Sequence, residues 1–124
     1  MNQRITLLCG AALGLSAVAI GAFGAHALKA TLTATGRLET YELAVQYQFY
    51  HALAMLLVGS LMMQYGAAQL RYAALSFFAG TLLFSGSLYV LSFTGLGVLG
   101  AITPIGGVLF IVGWCLMFVG IYKK

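Results

Sequence analysis

Residues 5–25 read ITLLCGAALGLSAVAIGAFGA, twenty-one in a row without a charged side chain. The hydrocarbon core of a bilayer is about 30 Å thick, so a helix needs roughly 20 apolar residues to cross it. This stretch has that length. It also sets Gly10, Gly14, Ala17, Gly21 and Ala25 three or four residues apart on one stripe, where backbones can meet. Ala25-His26-Ala27 has the form of a signal-peptide cleavage site. However, the apolar run is longer than an ordinary signal core and its glycines are spaced for helix packing, so it reads as a retained span.

Working outward, three more stretches of the same kind follow, at about residues 47–65, 72–93 and 104–122. Thr103-Pro104 is a helix start: a threonine that can cap, then a proline whose missing N–H has no intrahelical partner there anyway. In hydrocarbon every backbone group must bond within its own helix or a closed barrel, and the alternating polarity of barrel strands is missing. The expected fold is therefore all-α: an integral membrane four-helix bundle forming one domain over residues 1–124, with an extracytoplasmic loop at about 27–46.

Composition agrees. The 124 residues are 62% hydrophobic and 6% charged, against about 25% charged in soluble domains. The net charge of +4 rests on Arg4, Lys29, Arg37, Arg71, Lys123 and Lys124. No basic stripe interleaves with aromatics, which argues against nucleic-acid binding. With four spans, Arg4, Arg71, Lys123 and Lys124 share one side, and Lys29 and Arg37 the other. Basic residues favour the cytoplasm, which places both termini there. Cys9 and Cys115 lie in apolar runs and read as small hydrophobes rather than a disulfide framework.

Close helix contact in lipid depends on small residues. The packing glycines expected on this ground are Gly10, Gly14, Gly21, Gly80, Gly86, Gly106, Gly113 and Gly120. Polar side chains within the spans are few, and so informative. His26, Tyr47, Gln48, His51, Ser85, Tyr89 and Thr103 all fall in the outer third under this orientation and form a candidate polar cluster. It either bonds the helices to one another or lines a pocket facing outward. Tyr41, Tyr47 and Tyr50 read as an interfacial aromatic belt, and Glu39 and Glu42 as a solvated face.

Catalysis finds little support. Ser85 and Ser87 beside His51 suggest a nucleophile and base, but the chain has no aspartate and no G-x-S-x-G motif. Zinc needs three or four ligands, and beyond the two histidines only Glu39 and Glu42 are at hand. Haem could use His26 and His51 as axial ligands. No cofactor and no metal is expected.

Several of these residues stand in short motifs: Gly21-Ala22-Phe23-Gly24-Ala25-His26, Tyr47-Gln48 with His51, Leu83-Phe84-Ser85-Gly86-Ser87-Leu88-Tyr89, Thr103-Pro104 with Gly106-Gly107, and Gly113-Trp114 with Leu116-Met117. In this order and spacing, over nearly the whole chain, the sequence resembles the YgdD/YwdK-like family of small four-helix membrane proteins, which is related to an animal transmembrane protein. The resemblance implies a multi-pass plasma (inner) membrane protein and no known activity.

The expected function is a non-enzymatic accessory or assembly component in contact with the lipid bilayer, with a homo-oligomer or another membrane protein as partner. Two rivals stand beside it: a small oligomeric transport or permeation unit, and a haem- or metal-binding redox protein using His26 and His51.

Overall fold

The computed structural model describes residues 1–123; Lys124, one of the cations counted toward the orientation, lies outside the described residues. The described residues form helices and connections, with no strand among them. Helix α1 spans Gln3–Ala25, α2 Lys29–Ala34, α3 Leu38–Leu61, α4 Ala68–Thr94 and α5 Thr103–Tyr122, with a short 3-10 turn at Gly97–Ala101.

The local signals explain most boundaries. Asn2 caps α1, its Oδ1 accepting from the Ile5 N–H at 2.8 Å. Gly36 (φ +72°) separates α2 from α3, and Gly95 (φ +70°) ends α4, both in the left-handed region that glycine enters without penalty. The stretch 27–46, expected as a loop, is mostly helical: α2 fills part of it and α3 begins at Leu38. After Gly36 nothing in the sequence stops a helix. The start of α5 also differs. Thr103 is its first residue rather than its cap, and the preceding Ile102 offers no side chain to the helix end.

Among the described residues three helical stretches are long and apolar enough to cross a membrane: Gln3–Ala25, Ala68–Thr94 and Gly97–Tyr122, with mean hydropathies of 2.1, 1.7 and 2.2. Helix α3 is long enough but more polar, carrying Glu39, Glu42, Gln46, Gln48 and His51.

Contacts across the interfaces fix the register. Thr6 and Leu7 meet Gly59, Gly10 meets Ala52, Gly21 meets Val45 and Gly24 meets Tyr41, so α1 and α3 run antiparallel. Tyr41 meets Phe93 and Tyr89, Tyr47 meets Phe84 and His51 meets Phe77, so α3 and α4 are antiparallel too. Gly80 meets Phe110, Gly113 meets Phe77 and Gly120 meets Leu70, and α4 and α5 follow the same rule. One end of the molecule therefore holds the starts of α1 and α4 and the ends of α3 and α5. The other holds α2, Glu39 and Glu42.

The extensive interfaces are α1–α3, α3–α4 and α4–α5, while α1 touches α4 marginally. The long helices thus stand in an open row, not in the closed ring that the word bundle suggests. A packed apolar core runs through α3, α4 and α5, around Met55, Val58, Leu70, Phe77 and Phe110. On the outside, Leu15, Val18, Ile111 and Phe118 are among many large apolar side chains left exposed. In water such a surface would aggregate; in lipid it is the ordinary exterior.

The glycines set how close the helices come. A Cβ on Gly106 would lie 2.5 Å from the Phe84 backbone nitrogen, and one on Gly113 would lie 2.7 Å from the Phe77 ring. Gly10, Gly21, Gly80 and Gly120 also stand against a neighbouring helix, and Gly14 does so more loosely. Gly86 does not: nothing lies within 4 Å of where its Cβ would be. It shares the helix with Gly80, but six residues on it has turned away from α5. Two further close contacts belong to Gly24, against the Tyr41 ring, and Gly59, against Leu7.

Candidate polar site between the helices

Gln48 is the centre of the polar cluster. It is 4% exposed. Its side-chain amide nitrogen donates to the Leu13 carbonyl at 3.0 Å and to Ser16 Oγ at 2.8 Å, both on α1. Its Oε1 accepts from the Tyr89 hydroxyl of α4 at 2.6 Å. One side chain on the middle helix therefore joins three helices. Ser16 passes the chain on, its hydroxyl donating to Ala12 O at 2.9 Å. An amide has two donors and an acceptor that takes up to two bonds, so Gln48 is nearly saturated.

Ser85, one turn before Tyr89 on α4, donates to the Ala44 carbonyl of α3 at 2.7 Å. Tyr41 lies against the Gly24 notch, and its hydroxyl donates to the Ile20 carbonyl. Its ring meets Tyr89 and Phe93 edge-on, at 5.7 and 5.9 Å between centroids. Tyr41 is buried, so it is a packing residue and not part of an interfacial belt. Only glycine at position 24 leaves room for its ring.

His51 sits on the other face of α3, in an aromatic nest. Its ring stacks on Phe110 at 3.6 Å and 7°. Nδ1 lies 2.9 Å from the Tyr47 carbonyl, and Nε2 lies 3.2 Å from the Trp114 indole nitrogen of α5. An indole N–H can only donate, so Nε2 accepts and Nδ1 carries the proton to Tyr47. One neutral tautomer satisfies both contacts. Tyr47 contributes its ring, stacked on Phe84 at 4.6 Å. Beside the nest, a groove of about 480 Å³ runs along Tyr47, Phe84, Gly107, Ile111 and Trp114.

Thr103 Oγ1 lies 2.6 Å from Ser87 Oγ and ties the start of α5 to α4, apart from Gln48. His26 is exposed at the end of α1 and joins neither group. The seven residues expected in one cluster are thus divided. Gln48, Ser85 and Tyr89 bind α1, α3 and α4 together; Tyr47 and His51 face α5; Thr103 joins Ser87; His26 stands alone. Sequence reasoning missed Ser16, Tyr41, Ser87 and Trp114 as participants. Ser16 was detectable in principle, as a hydroxyl in the middle of an uncharged span. The role of Trp114 depends on how α5 is rotated against α3, which no spacing reveals. Among the described residues no group of three histidine, cysteine or carboxylate side chains stands together in a way that could hold a metal.

A family model described as a protein of unknown function, DUF423, matches residues 20–107. The chain belongs to the DUF423 family. Its relatives include the UPF0382 membrane protein YwdK of Bacillus subtilis, 42% identical over 98% of both chains. The UPF0382 membrane protein SAB0533 of Staphylococcus aureus is 42% identical, again over 98% of each. The UPF0382 inner membrane protein YgdD of Escherichia coli is 39% identical over 97% of this chain and 91% of its own. No solved structure matches. Membership and the apolar helices together make this DUF423 chain a multi-pass protein of the plasma (inner) membrane, from a family with no assigned activity. The DUF423 match starts within α1 and ends just inside α5, so it takes in Gln48, His51, Ser85, Tyr89 and Thr103.

Proposed function

We propose that the chain is a non-enzymatic accessory or assembly component. In this reading α1, α3, α4 and α5 all cross the bilayer, both termini are cytoplasmic, and the lipid-facing sides of the row offer contact to a second copy or another membrane protein. The observation that carries this is that every buried polar side-chain atom of the described residues already has a partner inside the protein. Gln48, Ser85, Tyr89 and His51 spend their hydrogen bonds on neighbouring helices or their own backbone. No buried side-chain nitrogen or oxygen of the described residues lacks a partner. A catalytic or transport site keeps some of that capacity free for substrate. The redox reading loses support on the same ground: both ring nitrogens of His51 are engaged, and His26 lies on a separate surface.

Crosslinking in native membranes tests the reading. A ladder of self-adducts or a discrete hetero-adduct is expected; a strictly monomeric chain without a partner refutes it. Reporter fusions at Met1 and at Lys124 test the topology, with both expected on the cytoplasmic side. Reporters on opposite sides would overturn the four-span scheme.

A further inference from the structure

At the end where α1 and α4 begin, the helices leave a recess of about 290 Å³, walled by Asn2, Gln3, Met62, Tyr65, Ala68 and Arg71. We propose that this recess receives the headgroup phosphate of an anionic phospholipid, with Arg71 as the cation that selects it.

The first support is charge. Arg71 is exposed, and no carboxylate of the described residues pairs with it. The two acidic side chains, Glu39 and Glu42, stand on the first turns of α3, at the opposite end of the molecule. Arg4 and Lys123 share the end with Arg71, so the charged side chains of the described residues at this end are all basic. A guanidinium grips phosphate with paired N–H donors, which an ammonium cannot do. The side chains of Asn2 and Gln3 add polar groups suited to a glycerol or phosphate oxygen.

The second support is where the acyl chains would go. Arg71 lies one turn before Leu75 on the same face of α4, and Leu82 continues that face two turns further on. Both leucines are exposed, at 49% and 55%. A headgroup held at Arg71 would therefore lay its chain along an apolar strip already facing the bilayer. A free phosphate would have no use for that strip, so the two arrangements are separable. The proposal needs α1 and α4 to lie in a bilayer but does not depend on which side their starts face, so its failure would leave the accessory reading and the topology untouched.

The test uses the full-length protein in detergent, incubated with an equal mixture of phosphatidylglycerol and phosphatidylcholine, with bound lipid counted by native mass spectrometry. The parent should retain phosphatidylglycerol preferentially. Arg71→Gln should lower that preference about fivefold, the factor expected for one basic residue at an anionic surface. Arg71→Lys should fall between them. Arg4→Gln and Lys123→Gln remove the same charge at the same end but outside the recess, and should keep the parental ratio. Inorganic phosphate in large excess should displace little of the lipid. The proposal is overturned if Arg71→Gln behaves like the parent, if all three charge removals lower retention alike, or if inorganic phosphate displaces the lipid completely. Arg71 is exposed, so the variant should fold, and an unchanged thermal transition in detergent would establish that.

Discussion

Replacing Gln48 with leucine removes a side chain whose hydrogen bonds tie α3 to both α1 and α4, while keeping nearly the same volume. The parent makes three interhelical bonds through this residue, to Leu13 O, Ser16 Oγ and the Tyr89 hydroxyl. Such bonds in membrane proteins average about 0.6 kcal/mol each, which gives roughly 2 kcal/mol for the set. Ser16 keeps its backbone acceptor after the change, but the Tyr89 hydroxyl is left without one on the protein. Gln48→Leu should therefore destabilise by about 2 kcal/mol, or about thirtyfold in the folding equilibrium, read by reversible unfolding in mixed micelles or bicelles. Tyr89→Phe alone should cost about 0.6 kcal/mol. The double variant decides the matter. Once Gln48 is gone, removing the orphaned hydroxyl should cost nothing, so the double variant should be no less stable than Gln48→Leu. Strict additivity of the two changes, or a Gln48→Leu cost below about 0.3 kcal/mol, would refute the claim that this residue fastens the row.

Gly106→Ala should cost several kcal/mol in the same assay, since its Cβ would sit 2.5 Å from a backbone nitrogen of α4 that cannot give way. Gly86→Ala should be neutral or stabilise by up to about 1 kcal/mol, because nothing opposes the methyl group and alanine favours the helix. At the two left-handed glycines, Gly36→Ala should cost about 1–2 kcal/mol from backbone conformation alone. Gly95→Ala should cost about as much, because the Arg37 guanidinium in the path of the new methyl group is the far end of a flexible side chain and can swing aside, leaving the backbone conformation as the main cost. Trp114→Phe should leave His51 Nε2 without its donor while keeping an aromatic ring in place, and should destabilise by about 0.6–2 kcal/mol.

Much of the fold was legible because lipid imposes a simple rule on sequence. Long uncharged runs must be helices, and residues 5–25 need no partner to reveal themselves. Gly36, Gly95 and Pro104 marked breaks and starts through backbone preferences that act locally. The polar start of α3 was harder. Without a breaker between Leu38 and Leu61 the helix simply continues, although its first two turns carry Glu39 and Glu42. Depth in the membrane drew attention to Gln48, Ser85 and Tyr89, but it could not say which way each side chain points. His26 and His51 look alike in sequence, yet one is exposed at a helix end and the other is stacked on Phe110. Gly80 and Gly86 differ only in rotation about α4, and rotation is set by the partner helix. Tyr41 was misplaced for the same reason: its burial depends on Gly24, seventeen residues upstream on another helix.

The open row bears on biogenesis. Each long helix after the first has an extensive interface with the long helix made just before it, and α5 has no extensive seam with α1 waiting to be closed. Insertion can therefore proceed vectorially, with α1 and α3 zipping together before α4 leaves the ribosome and α5 docking last without reopening earlier contacts. A polypeptide halted after Thr94 would already hold the Gln48 junction intact.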